Sequence, residues 1–236
     1  MTEEVRTEFH QLMDEVRADL VQMGGMVAEG ISAVTAALLA GDIGGADQII
    51  TADDELDLLS LEVEEKCVQL LALQQPVAVD LRTILTDLRM ISEIERSGDL
   101  VTNIAKAVVR LHGAELEPRV RGLLDRMREQ AVRLTAMAMD AFAERDAGLA
   151  SVLNDVDDVL DELHGQYLDA VFASRNAGQI DTQQAVQLAV VGRFYERIGD
   201  HAVNIAQRVE FLVTGQLPEH MGANRARARR EQGETL

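Results

Sequence analysis

The chain has 236 residues, 47% of them hydrophobic and 27% charged, with 41 acidic residues against 22 basic ones for a formal net charge of -19. An acidic balance of that size excludes broad nucleic-acid binding, which needs a basic face to displace counterions, and it disfavours adhesion to anionic lipid. Aromatic residues make up 3% of the chain, with no Trp and three Pro, which excludes an aromatic-rich, Pro/Gly-punctuated β-architecture and points to an all-α protein.

Apolar residues at Phe9, Leu12, Met13, Val16, Leu20, Met23, Val27, Ile31, Val34 and Leu38 recur in steps of three and four. That spacing predicts one long amphipathic helix. Gly41-Asp42 and Gly44-Gly45 break it, and a second helix is expected from about Ala46 to Ala72, with Leu56, Leu59, Val63 and Leu70 facing inward. Gln74-Gln75-Pro76 interrupts again, because proline suits the first turn of a new helix. A third helix is expected from about Val77 to His112, stopping at Gly113. Residues 117–145, 147–176 and 181–214 then repeat the plan, with Pro118 opening the fourth helix and Gly215 closing the sixth. The reading is two tandem antiparallel three-helix bundles, residues 1–114 and 115–215, followed by a polar tail, 216–236, that carries Arg225, Arg227, Arg229 and Arg230.

Cys67 is the single cysteine, so no intrachain disulfide forms. No secretory leader is visible, and continuous apolar runs such as Ala33–Ala40 are too short to cross a bilayer. A cytoplasmic protein is therefore expected.

The duplication shows in the sequence itself. A shift of 104 residues lays Asp42, Asp53, Leu56 and Asp57 on Asp146, Asp157, Leu160 and Asp161. A shift of 101 lays Glu95-Arg96-Ser97-Gly98-Asp99 on Glu196-Arg197-Ile198-Gly199-Asp200, and Asn103-Ile104-Ala105 on Asn204-Ile205-Ala206. The three-residue slip falls before the third helix of each unit, where a connection tolerates it.

The repeats carry four acidic pairs: Asp53 with Asp57, Glu95 with Asp99, Asp157 with Asp161, and Glu196 with Asp200. Residues four apart on a helix share a face, and like charges so placed repel. Packing the second helix of a unit on its third would gather four carboxylates, which an oxygen-seeking cation relieves. A helical wheel puts these residues beside the apolar stripe, so an exposed ledge is expected and not a buried centre. One such pair alone fits a solvated acidic face or a helix-start charge better than a metal site; recurrence of both spacings in both halves, in the same helices, shifts the balance toward metal. Gly98 and Gly199 inside the motif cost about 1 kcal/mol against Ala, a cost suited to a close backbone approach. Arg96 and Arg197 fit either ion pairs or contacts to phosphate or a partner carboxylate. His201 has Leu100 at its counterpart and reads as structural. No nucleophile–base set, phosphate loop or zinc spacing appears, so an enzyme is not expected.

The segments Asp80-Leu81-Arg82, Glu95 to Asp99 and Asn103 to Ala105, with their fuller copy Gly192 to Ala206, resemble the PhoU family. The resemblance spans roughly residues 5–215, including Arg6 and Phe9. It implies two similar three-helix bundles and metal clusters on the four acidic pairs, with Mg, Mn, Fe or Zn all acceptable to oxygen-only ligands. It further implies a negative regulator of phosphate uptake and of the phosphate-starvation response. Such a regulator links the phosphate ABC transporter, through its ATPase, to a sensor histidine kinase, placing the chain peripherally at the inner membrane face through its partners. A homodimer is the expected assembly. Two other readings remain at this point: a carboxylate-bridged diiron enzyme of helical-bundle type, and a metal-free helical scaffold.

Overall fold

The computed structural model describes residues 3–74 and 76–216. Six helices follow one another: α1 (Glu3–Ala40), α2 (Ile43–Gln74), α3 (Ala78–Arg110), α4 (Pro118–Glu144), α5 (Ala147–Asn176) and α6 (Thr182–Thr214). No strand occurs among the described residues. The Arg-rich tail, apart from Gln216, lies outside them.

Local chemistry sets the helix ends. The Gly45 N–H donates to Asp42 Oδ1 at 3.0 Å, and Gly148 and Leu149 donate to Asp146 at the equivalent junction, satisfying first-turn N–H groups that lack helical partners. Asp42 therefore draws Gly44 and Gly45 into the first turn of α2, where the sequence suggested part of the break. Asp181 and Gln184 form a reciprocal capping box at the start of α6. Pro118 occupies the first position of α4, and Gly215 ends α6 in the left-handed region. Helix α3 stops at Arg110, two residues before the expected His112, with Leu111 as its cap.

Within the first repeat α1 packs on α2 and α3; within the second, α4 packs on α5 and α6. The repeats also join, α1 against α4 and α3 against α6, over one continuous apolar core. The joint has a pseudo-twofold character. Arg17 Nη2 donates to the Ala143 carbonyl at 2.6 Å, and Arg121 Nη1 donates to the Leu39 carbonyl at 2.7 Å. Each arginine thus reaches a carbonyl near the C-terminal end of the other's helix, and the 104-residue shift interconverts the two contacts. Where the symmetry lapses, a buried hydroxyl pair fills in: Thr35 Oγ1 and Tyr195 Oη lie 2.6 Å apart across the joint.

One segment, Arg6–Ala40, is long and apolar enough to span a bilayer by length and composition. The expectation from continuous apolar runs missed this, because the apolar residues of α1 are interleaved with polar ones. Val16, Leu20, Met23, Val27, Ile31 and Val34 are all buried in the protein core, and that packing accounts for them.

Candidate functional site

Helices α2 and α3 bring the first two acidic pairs to one seam, and α5 and α6 bring the other two to a second. Asp53 and Glu95 are half-buried while Asp57 and Asp99 are exposed; likewise Asp157 and Glu196 are half-buried while Asp161 and Asp200 are exposed. The carboxylates thus form ledges along the border of the core, as the wheel suggested.

The glycines explain how closely the helices meet there. A Cβ on Gly98 would run into the Leu56 side chain and lie 3.3 Å from Asp53 Oδ1. On Gly199 it would collide with Asp157 Oδ1 and come within 2.7 Å of Leu160 Cδ2. In both repeats the leading aspartate of α2 or α5 rests against the bare backbone of the facing helix.

Electrostatically the seams differ. Burial raises the Asp53 carboxyl above its ordinary value; the Thr102 hydroxyl bond opposes this, Asp57 and Asp99 add to it, and Lys106 also opposes it. Glu95 is raised by burial, then by Asp99 and Asp57. The second repeat has Val203 and Gln207 where the first has Thr102 and Lys106, so Asp157 loses both aids. Burial, then Asp161, Asp200 and Asp158, push its carboxyl up to about 7. Asp157 Oδ1 and Glu196 Oε2 are both buried without a hydrogen-bond partner. The other Glu196 oxygen accepts from Arg193, a residue sequence reasoning passed over although it stands one turn before the glutamate. Its counterpart is Ser92.

The residues present suit a hard cation: all-oxygen donors, two orphaned buried carboxylate oxygens in the second seam, and a glycine cradle that any side chain would fill. As the side chains stand, no three Asp, Glu, His or Cys among the described residues converge on a common point able to hold an ion.

Other candidates take structural places. His201 Nδ1 lies 2.7 Å from Glu93 Oε2, to which Asn204 Nδ2 also donates at 3.0 Å, tying α6 to α3. Burial alone would raise the Glu93 carboxyl, yet the two bonds outweigh it and hold the group below its ordinary value. Arg96 and Arg197 are exposed, with Arg96 close enough to Glu93 and Glu95 to favour their charged forms. The buried Cys67 thiol is pushed up to about 12, by burial foremost, and stays protonated.

Known proteins share this architecture. A family model described as the PhoU domain matches twice, over residues 20–108 and 124–209, one match per repeat. A phosphate-specific transport system accessory protein, PhoU homolog 1 of Mycobacterium leprae, is 37% identical over 216 residues, covering 91% of this chain and 96% of its own. The Pseudomonas putida PhoU homolog is 31% identical over 228 residues, covering 97% of this chain and 89% of its own. Among solved structures, PhoU from Pseudomonas aeruginosa superposes with a TM-score of 0.82 at 31% identity, over 88% of this chain and 100% of that one. The phosphate transport system regulatory protein PhoU from Streptococcus pneumoniae gives 0.81 at 27%, over 89% of this chain and 98% of that one. Doubled domain, doubled seam and matching relatives lead to one statement: the chain belongs to the PhoU family.

Proposed function

We propose that this chain is a non-enzymatic accessory regulator of a phosphate-specific transport system, restraining phosphate uptake and the phosphate-starvation response when phosphate is plentiful. Relatives carrying the transport-accessory name at 31–37% identity support the setting. The observation that carries the mechanism is the repeated seam, in which Asp53 on Gly98 and Asp157 on Gly199 occupy equivalent places. Asp53, Asp57, Glu95 and Asp99 would hold one metal site, and Asp157, Asp161, Glu196 and Asp200 the other. A bound divalent or trivalent ion neutralises the crowded carboxylates and changes the charge of an exposed face. The exposed aspartates reach it by side-chain rotation. Mg, Mn, Fe and Zn all suit oxygen donors, and the second seam, with its orphaned oxygens, takes metal first.

The faces so shaped would engage the transporter ATPase and a sensor histidine kinase, leaving the protein in the cytoplasm and at the inner membrane surface through its partners. Deleting the gene should switch on phosphate-starvation genes in phosphate-rich medium, and affinity purification from such cells should recover both partners. Unchanged expression together with neither partner recovered sinks the reading. The diiron-enzyme alternative finds no support in the seams, since they lie at the edge of the core and none of their eight pair residues is histidine.

A further inference from the structure

A cavity of about 150 Å³ lies where the start of α1, the first turns of α3 and the ends of α4 and α6 meet. Its floor includes Asp87, 2% exposed, whose Oδ1 has no hydrogen-bond partner. Its walls include Arg17, held by its bond to Ala143, and Arg145. Asp14 and Asp80 stand in the lining as well, with His10 beside them.

The pseudo-twofold relation supplies an internal control. The shifts of 104 and 101 carry Arg17, Phe142 and Leu212 onto Arg121, Leu38 and Leu111, all of which line a twin cavity in the other repeat. Several lining residues have unlike counterparts, and two of them bear directly on ligand chemistry. Asp87 corresponds to Leu188, buried and apolar, and Arg145 corresponds to Gly41. Arg145 adopts φ 53, a left-handed conformation that Gly41 takes freely at φ 66 but that costs a non-glycine residue roughly 1–2 kcal/mol. A buried orphan carboxylate and a strained arginine are thus concentrated in one of two cavities at related places in the fold, which also differ at His10 and Asp14, whose counterparts are Ala114 and Pro118. Departures of this kind gather at functional sites.

The chemistry of the lining narrows the ligand. Asp87 Oδ1 needs a donor and the guanidinium groups need acceptors, so the ligand must present both within a small volume. A metal ion is disfavoured because Arg17 and Arg145 stand among the carboxylates and no three Asp, Glu, His or Cys among the described residues converge on one point. We propose that this cavity binds a small tetrahedral oxyanion carrying a proton, of which inorganic phosphate is the physiological example, with Arg17 and Arg145 on its charged oxygens and Asp87 accepting from its P–OH. Asp14 and Asp80 add negative charge and so select the protonated anion over a fully deprotonated dianion such as sulfate. Burial, opposed by Arg145 and Arg17, raises the Asp87 carboxyl to about 7, so the site shares a proton readily with such a ligand. The inference is independent of the metal seams.

Equilibrium dialysis of the full chain against radiolabelled inorganic phosphate tests it. One phosphate per chain should bind with a Kd between about 10 μM and 1 mM. Sulfate should bind at least about tenfold more weakly, a difference of about 1.4 kcal/mol. Asp87→Leu and Arg145→Gly install the residues that the other repeat has at the equivalent positions, so both should fold, with unchanged or higher melting temperatures, and both should weaken phosphate binding about tenfold or more. Absence of saturable binding below about 10 mM, or wild-type affinity in the two variants, overturns the proposal. Sulfate binding as tightly as phosphate overturns the role of Asp87. Glycine or phosphoserine competing as strongly as phosphate overturns the assignment to a free oxyanion.

Discussion

Replacing Gly199 with alanine tests the close approach on which the second seam depends. The new methyl group would collide with Asp157 Oδ1, stand 2.7 Å from Leu160 Cδ2 and touch Leu134 Cδ1 at 3.4 Å. Overpacking of this kind costs about 1–3 kcal/mol, while alanine recovers up to about 1 kcal/mol of helix propensity. The net change is a destabilisation of about 0–2 kcal/mol. Gly165, in α5, is the control: a Cβ added there would meet nothing within 4 Å, so Gly165→Ala should stabilise by up to about 1 kcal/mol. Urea unfolding of the two variants, without added metal, should separate them by about 1–3 kcal/mol in the direction stated. Equal stabilities, or a G199A variant more stable than G165A, would show that α5 and α6 do not meet there as described. The same variant should also lose metal at the second seam, read by elemental analysis after purification.

Asp157 makes apo stability depend on pH. Its folded-state pKa, about 7, lies above the unfolded value of 3.8, so the folded state holds the extra proton between them and stability falls as pH rises through that window. Chelator-treated wild-type protein should therefore lose more stability between pH 5 and 8 than Asp157→Asn does; identical losses refute it. Exchanging the seam residues should move each seam toward the other: Thr102→Val removes the hydroxyl bond to Asp53 and should cost about 1 kcal/mol, while Val203→Thr should raise stability in metal-free urea titrations at neutral pH. Opposite signs would refute the comparison of seams. Tyr195→Phe removes one member of the buried pair with Thr35 and should cost about 1 kcal/mol, with a Thr35→Val partner in a double-mutant cycle showing coupling of similar size. His201→Ala strips the partner from a half-buried Glu93 and should cost about 2–3 kcal/mol in thermal or urea melts.

Much of this architecture is written locally in the chain. The step of three and four from Phe9 to Leu38, the aspartates at the two junctions, Pro118 and Gly215 each fix an element through contacts within one or two turns. The pairing of Asp53 with Asp57, and its recurrence, also needs only helical geometry and a repeat. Periodicity reports which face of a helix is covered but not what covers it, and the missed contacts are of that kind. Thr35 with Tyr195 and Glu93 with His201 join residues more than 100 positions apart. The inequality of the seams turns on Thr102 against Val203, a substitution that carries meaning only once each is known to face an aspartate on a neighbouring helix. Asp87 escaped notice for the same reason, since one aspartate in an acidic helix looks solvated until packing buries it.

The shared core has a consequence for synthesis. At roughly 5–20 residues per second, the second repeat takes on the order of 5–20 s to follow the first from the ribosome. Throughout that interval the faces of α1 and α3 that will meet α4 and α6 have no cover, although the first three helices can already pack on one another. Exposed apolar surface of that kind invites aggregation and chaperone capture. The near-equivalence of the repeats adds a particular hazard, because the nascent first half presents a surface shaped to receive a bundle like itself. Two neighbouring nascent chains could pair first half with first half, in a crossed assembly that the completed chain avoids by supplying its own partner.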